Sequence, residues 1–292
     1  MFVTMKDILT KAKADGYGVV APNVFNRESV EACFQIASEV RSPLILDVVV
    51  EHGIEESAYI AKYYERKFPE VPVALNLDHG SNYDQLMLAI RSGYTSIMVD
   101  RSTLPFDENV REVSEAVKMA HSLKMSVEAE LGHVGQGFEY EKTRDAGLTR
   151  PEEATRFVEL TGVDCLAVAV GSSHGVYVGE PRIEFDLLDI LAKEVPVPLV
   201  LHGGSGTGDK NLAEAVRHGI QKVNMFTDLS FEAIKYMNAY EADKEKFKKD
   251  TNWELDLVGE SPRLCELFKA GIMGYKEKVG YYMELFGSTN RW

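Results

Sequence analysis

The chain has 292 residues, 45% of them hydrophobic and 27% charged, with a formal net charge of −14. That balance supplies a sizeable core and excludes nucleic acid as a partner, which needs clustered Lys and Arg; a small anionic ligand stays compatible with a local pocket. No apolar run approaches a membrane span, and Met1-Phe-Val-Thr-Met-Lys lacks the charge and apolar block of a signal peptide, so no membrane role and a cytoplasmic location are expected. Cys33, Cys165 and Cys265 have no paired spacing, and all three read as small buried hydrophobes in a reducing compartment.

Apolar runs predict strands at Gly18 to Asn23, Pro43 to Val50, Val71 to Leu77, Ser96 to Asp100, Ser126 to Glu130, Cys165 to Val170, Pro198 to Leu201 and Lys222 to Asn224. Between them lie helical patterns such as Arg27 to Val40, Asn82 to Arg91, Glu108 to Leu123, Pro151 to Thr161 and Lys210 to His218. Eight β-then-α units point to an α/β fold, a (β/α)8 TIM barrel formed as one domain over residues 1–292. A doubly wound open sheet is the competitor, but the Gly-rich fingerprint expected after its first strand is absent. Gly132 to Leu148 reads as a long mobile loop after strand five, and residues 240 to 255 as a charged, solvated helical insertion. Ser261 to Phe286 reads as a C-terminal helical extension that covers the barrel or meets another subunit.

Three of the seven histidines follow apolar strand patterns, in Asn-Leu-Asp78-His79-Gly80, Ser-Ser-His174-Gly175 and Leu-His202-Gly203-Gly204-Ser205-Gly206. In a barrel these are the carboxyl ends of strands three, six and seven, which open on one face. Neutral imidazoles suit Zn2+, and three protein ligands leave a coordination position for substrate, so His79, His174 and His202 are the predicted metal ligands. Asp78, beside His79, is the candidate proton shuttle. Asp100 and Glu130 end strands four and five, and would hold a second metal ion or orient the histidines. Gly203, Gly204 and Ser205 after strand seven, with Asn224 and Thr227 after strand eight, occupy the loops where barrels bind phosphate. His52, His121, His133 and His218 are assigned no metal role.

Taken together, these motifs resemble the class II (zinc-dependent) ketose-bisphosphate aldolases, which cover fructose- and tagatose-bisphosphate. The resemblance extends over nearly the whole chain through Asp78-His79-Gly80, Glu128-Ala-Glu130, Thr161 to His174-Gly175, His202-Gly-Gly-Ser-Gly, Asn224-Met-Phe-Thr227 and the near-terminal Leu-Phe-Gly-Ser. It implies retro-aldol cleavage of a phosphorylated ketose to dihydroxyacetone phosphate and an aldehyde, with zinc on the three histidines and Asp78 exchanging the proton. It implies that Gly175, Gly203, Ser205, Asn224 and Thr227 hold the ketose phosphate, with a monovalent cation (Na+ or K+) nearby. Relatives carry an acidic catalytic residue on the loop after strand five, for which Glu139 and Glu141 are the alternatives. A homodimer or homotetramer follows from the same resemblance.

The chain also departs from the family pattern. Asp47 and Val49 stand where relatives have Gln and Ser, Pro22 interrupts Ala-Phe-Asn before Asn23, and Arg101 replaces a smaller residue. Phe226 replaces a small or acidic residue, and Val178 stands where many relatives have Lys. Arg263 resembles an arginine that reaches a neighbouring subunit's distal phosphate, although Leu264 follows it in place of Lys. On this reading Asp47 repels the substrate phosphate, and Arg101 compensates by pairing with Asp47 or with the substrate. These departures put Asp47, Arg101, Phe226 and Arg263 forward as specificity positions. They leave two further readings open: the same chemistry on another sugar phosphate or a keto acid, or a non-catalytic aldolase partner subunit.

Overall fold

The computed structural model describes residues 1–143, 145–251 and 264–292. Eight parallel strands form where the apolar runs predict them: β1 (Val19–Pro22), β2 (Leu44–Val49), β3 (Val73–Gly80), β4 (Ser96–Val99), β5 (Ser126–Leu131), β6 (Cys165–Val168), β7 (Leu199–Leu201) and β8 (Ile220–Met225). They pair in the order β1-β8-β7-β6-β5-β4-β3-β2. A parallel bridge between Asn23 and Asp47, and the Val24 N–H bonded to the Asp47 carbonyl at 2.9 Å, bring β1 against β2 and close the ring. The result is a (β/α)8 TIM barrel.

The helices are α1 (Met5–Asp15), α2 (Arg27–Val40), α3 (Ile54–Lys67), α4 (Tyr83–Ser92), α5 (Phe106–Ser122) and α6 (Tyr140–Thr143). They continue with α7 (Pro151–Thr161), α8 (Phe185–Glu194), α9 (Asp209–Arg217), α10 (Thr227–Ala242), α11 (Lys244–Thr251) and α12 (Leu264–Leu285). Several starts are written in short polar residues. Thr4, Asn26 and Asn82 each turn a side-chain oxygen onto an early helical N–H, satisfying donors that the helix itself leaves open.

Side chains alternate in destination along each strand, as a two-residue period requires. In β2, Leu44, Leu46 and Val48 join the outer core under the helices, whereas Ile45 joins Val19, Ala21, Ala74, Cys165, Ala167 and Val200 inside the ring. The same parity places Asp47, Asn76, Glu128 and Lys222 one step higher, and Asp78, Glu130, His202 and Asn224 at the mouth. The lower end is stoppered by α1, whose Met5, Ile8, Leu9 and Ala12 pack on the interior cluster while the Met5 N–H bonds Ser96 Oγ at 2.9 Å.

The C-terminal extension lies on α10, α2 and β1. Its Tyr275 hydroxyl donates to the Asn23 carbonyl (2.9 Å) and its Tyr282 hydroxyl to Asp228 Oδ2 (2.7 Å), so α12 braces the ends of β1 and β8. One sequence expectation needs correction. Cys33 and Cys165 are buried, but Cys265 is exposed at the start of α12, where the helix's outer face meets solvent. The segment after β5 carries helical turns, and the buried Tyr140 hydroxyl pins it by donating to the Gly171 carbonyl (3.0 Å). Among the described residues, no helix is long and apolar enough to cross a membrane.

Candidate active site

The mouth owes its shape to an irregularity in β3. Pairing with β4 shifts register between Leu77 and Gly80, and His79 adopts a left-handed backbone with φ 53°. That conformation costs a non-glycine residue about 1–2 kcal/mol, so its surroundings must impose it. In a regular strand, Asp78 and His79 would point to opposite faces. Here both line the same cavity, of about 340 Å³, together with His174, Gly175, Gly203 and Ser205.

Three imidazoles converge there from different strands. The ring centroids of His79 and His202 are 4.7 Å apart, those of His79 and His174 5.2 Å, and those of His174 and His202 5.7 Å. His202 directly follows β7 and is fully buried. His174 lies beyond β6 and is fixed by the segment after β5, because its N–H meets the Gly135 carbonyl (2.9 Å) and its carbonyl accepts from Gly137 (2.7 Å). Each of two rings has one nitrogen held by a carboxylate: His79 Nδ1 by Asp100 Oδ2 at 2.9 Å, and His202 Nε2 by Glu128 Oε1 at 2.8 Å. The opposite nitrogens, His79 Nε2 and His202 Nδ1, approach one another at 3.1 Å.

These donors fit a divalent cation. The ligand atoms of His79, His174 and His202 lie within 4.8 Å of one another, as do those of His79, Asp100 and Glu130. His174 Nε2 and Glu130 Oε2 are buried without a hydrogen-bond partner, the condition expected of atoms waiting for a metal. Asp47, Asp78, Glu128 and Glu130 are all buried in the upper barrel, where the Lys222 ammonium pairs with Asp47 and Glu128. Burial opposes charge on His79, yet Asp78 and Asp100 outweigh it and push the imidazole up to about 10. His174, dominated by burial and repelled by the other two rings, is pushed down to about 3 and stays neutral.

Asp78 is held between two amides, accepting from Asn23 Nδ2 (2.8 Å) on Oδ2 and from Asn224 Nδ2 (3.2 Å) on Oδ1. Burial raises its carboxyl, but the neighbouring His79, His202 and Lys222 side chains outweigh that and hold it below the usual carboxylate range. It is therefore held in the ionised, proton-accepting form.

The two loops predicted to hold phosphate meet beside these groups. Ser205 Oγ accepts from the N–H groups of Phe226 (3.1 Å) and Asp228 (3.2 Å), tying the loop after β7 to the first turn of α10. Gly175, Gly203, Ser205, Asn224 and Thr227 all line the cavity. Gly203 has φ 66°, and a Cβ there would sit 2.3 Å from the Ser173 carbonyl oxygen, so this turn requires glycine. Gly204 differs from its expected role. Its N–H is spent on the Asn224 carbonyl (3.2 Å), and a Cβ would strike Met225 Sδ, which makes it a packing position.

Two of the candidate specificity residues, Asp47 and Arg101, are not among the residues lining the cavity. Asp47 does not face a substrate phosphate: it is fully buried below the mouth, with Oδ2 2.9 Å from Lys222 Nζ and Oδ1 accepting from Asn76 at 2.8 Å. Arg101 pairs with neither Asp47 nor the cavity. It binds Glu112 (2.6 Å) and the carbonyls of Asp100 (2.6 Å) and Gly80 (3.1 Å), and so buttresses the β3 bulge. Val49 and Phe226 do line the cavity, joined by His52, whose ring lies 5.4 Å from that of Phe226. Val178 is exposed, as is Glu139, which ends a short turn after β5. Arg263 and the Glu141 side chain lie outside the described residues. Sequence reasoning assigned no role to Lys222, Glu128, Asn23 or His52; only the strand parity, which puts three of them inside the ring, would have singled them out.

The family profile described as Fructose-bisphosphate aldolase class-II matches residues 3–291. Among solved structures, the YdjI aldolase of Escherichia coli K12 is 30% identical, with a TM-score of 0.84 over 100% of this chain and 99% of that one. The fold is also shared with the fructose-bisphosphate aldolase (Fba) of Campylobacter jejuni, which is 22% identical with a TM-score of 0.79 over 100% of this chain and 97% of the other. Sequence and architecture thus agree from end to end, and the chain belongs to the class-II fructose-bisphosphate aldolase family of lyase-type enzymes.

Proposed function

We propose that the protein cleaves a phosphorylated ketose by a zinc-dependent, reversible retro-aldol reaction, giving dihydroxyacetone phosphate and an aldehyde. The observation that carries this reading is the meeting of His79, His174 and the buried His202 next to an amide-held Asp78, with His79, His174 and Asp78 lining one cavity beside the glycine-rich loop after β7. When bound, zinc supplies electrophilic stabilisation for the negative charge that develops on the ketose oxygens. Asp78 takes the proton from the hydroxyl that becomes the aldehyde oxygen as the carbon–carbon bond breaks, and returns it in the condensing direction. Gly175, Gly203, Ser205, Asn224 and Thr227 anchor the phosphate next to the start of α10, where the positive end of the helix dipole favours an anion.

One observation favours a second version. Val49, His52 and Phe226 present a largely apolar wall to the cavity, suited to an aldehyde half that bears no second phosphate. A panel assay separates the two versions. Release of dihydroxyacetone phosphate is measured from fructose- and tagatose-bisphosphate and from ketose 1-phosphates with neutral distal ends. A chelator abolishes the activity and zinc restores it. Asp78→Ala lowers turnover by about 100-fold or more while the metal is retained. Failure of the zinc-loaded protein to cleave any ketose phosphate would sink the proposal.

A further inference from the structure

Beneath the histidines runs a line of buried ionisable side chains that the reaction above does not use. Lys222, on β8, is fully buried, as are Asp47 on β2 and Glu128 on β5. Lys222 Nζ lies 2.8 Å from Glu128 Oε2 and 2.9 Å from Asp47 Oδ2. The other oxygen of Glu128 meets His202 Nε2 at 2.8 Å, and the other oxygen of Asp47 accepts from Asn76 Nδ2 at 2.8 Å. The line therefore crosses the barrel interior and ends on a histidine of the cavity.

We propose that Lys222 is a positioning residue for the metal centre: it clamps Glu128 so that Glu128 receives the Nε2–H of His202 and leaves Nδ1 to face the cation. This rests on the reading that the three histidines hold a divalent metal. An imidazole has two nitrogens, and the one that binds a metal is fixed by the hydrogen bond the other makes. His202 Nδ1 is the nitrogen turned toward the remaining histidines, 3.1 Å from His79 Nε2. Glu128 thus selects the ring's orientation, and Lys222 holds Glu128. Among the described residues, the other hydrogen-bond partner of Glu128 Oε2 is the Cys165 thiol at 4.0 Å, too distant to fix a carboxylate. Stability alone does not account for the line. Buried ionic groups cost desolvation, and hydrophobic residues of similar volume often serve as well, as the apolar layer directly below illustrates.

The test measures Co2+ affinity by competition with a chelating dye, together with the visible absorption of bound Co2+, on the metal-stripped full chain. Lys222→Met alone strands two buried carboxylates and risks failure to fold, so the deciding variant is the double substitution Lys222→Met with Asp47→Asn, which removes one of them. Asp47→Asn alone is expected to bind Co2+ with the wild-type affinity and spectrum. The double variant is expected to fold but to bind about 10-fold or more weakly, with a changed spectrum. A folded double variant with wild-type affinity and spectrum would overturn the role of Lys222. Failure of the wild-type chain to bind Co2+ would instead overturn the metal reading, and the proposal with it.

Discussion

Asp47 shows how far a single side chain can differ from its apparent meaning. Two carboxylates, Asp47 and Glu128, share the one Lys222 ammonium, and full burial penalises the second negative charge. Burial is the leading cause that pushes Asp47 up, to about 7, against the pull of Lys222. A carboxyl whose folded value is raised contributes stability below its unfolded value, near 3.9, and loses it as pH climbs through the folded value. Asp47→Asn, which mimics the protonated form, is therefore expected to raise stability more at pH 8 than at pH 5, as read from urea midpoints. Equal gains at both would contradict the assignment. The three cavity histidines were legible in the sequence because each abuts a glycine at a strand end. Lys222 was not, since a lysine within Gln-Lys-Val-Asn reads as solvated until the ring closes and brings β8 and β2 to opposite sides of β1. Arg101 misled for a related reason: its partners, Glu112 and two backbone carbonyls, are set by the turn after β4 rather than by residue type.

At the level of elements, the strands were easier to read than what fills their ends. Eight apolar runs bounded by turn residues locate the strands to within three residues at each end, because both faces of a barrel strand are buried over most of their length. The helix α1 carries a Thr4-to-Asp7 capping box and a clear apolar stripe, yet nothing local says that the stripe faces the barrel interior and not its flank. That placement follows from the small and medium side chains of the interior layer, among them Ala21, Ala74 and Ala167, which leave room for Met5 and Leu9. Leu9→Ala is expected to lower unfolding free energy by about 2–5 kcal/mol, because Leu9 is fully buried in the interior cluster and its truncation leaves a gap there. Turnover should change little, as the substitution lies at the end opposite the histidines. An activity loss matching Asp78→Ala would show that α1 does more than close the barrel. The helix α12 likewise needed the fold to reveal its purpose, since Tyr275 and Tyr282 find their acceptors just beyond β1 and in the first turn of α10.

For the molecule as a whole, the closed lower end has a kinetic meaning. With α1 filling one end of the ring, the catalytic cavity is a cul-de-sac, and whatever enters by the mouth must leave by it. Under the proposed reaction two products share that single exit, and they are not held alike. The phosphorylated three-carbon product keeps the grip of the loops after β7 and β8, whereas the aldehyde faces Val49, His52 and Phe226 with few polar anchors. Departure should then be sequential, aldehyde first. Steady-state product inhibition gives the signature: dihydroxyacetone phosphate competes with the ketose, and the aldehyde inhibits noncompetitively. The reverse pattern would mean that the aldehyde half is the more tightly held. In the condensing direction the same geometry imposes a queue at a single door, so a large excess of aldehyde should slow the reaction by occupying the mouth before the phosphorylated partner arrives.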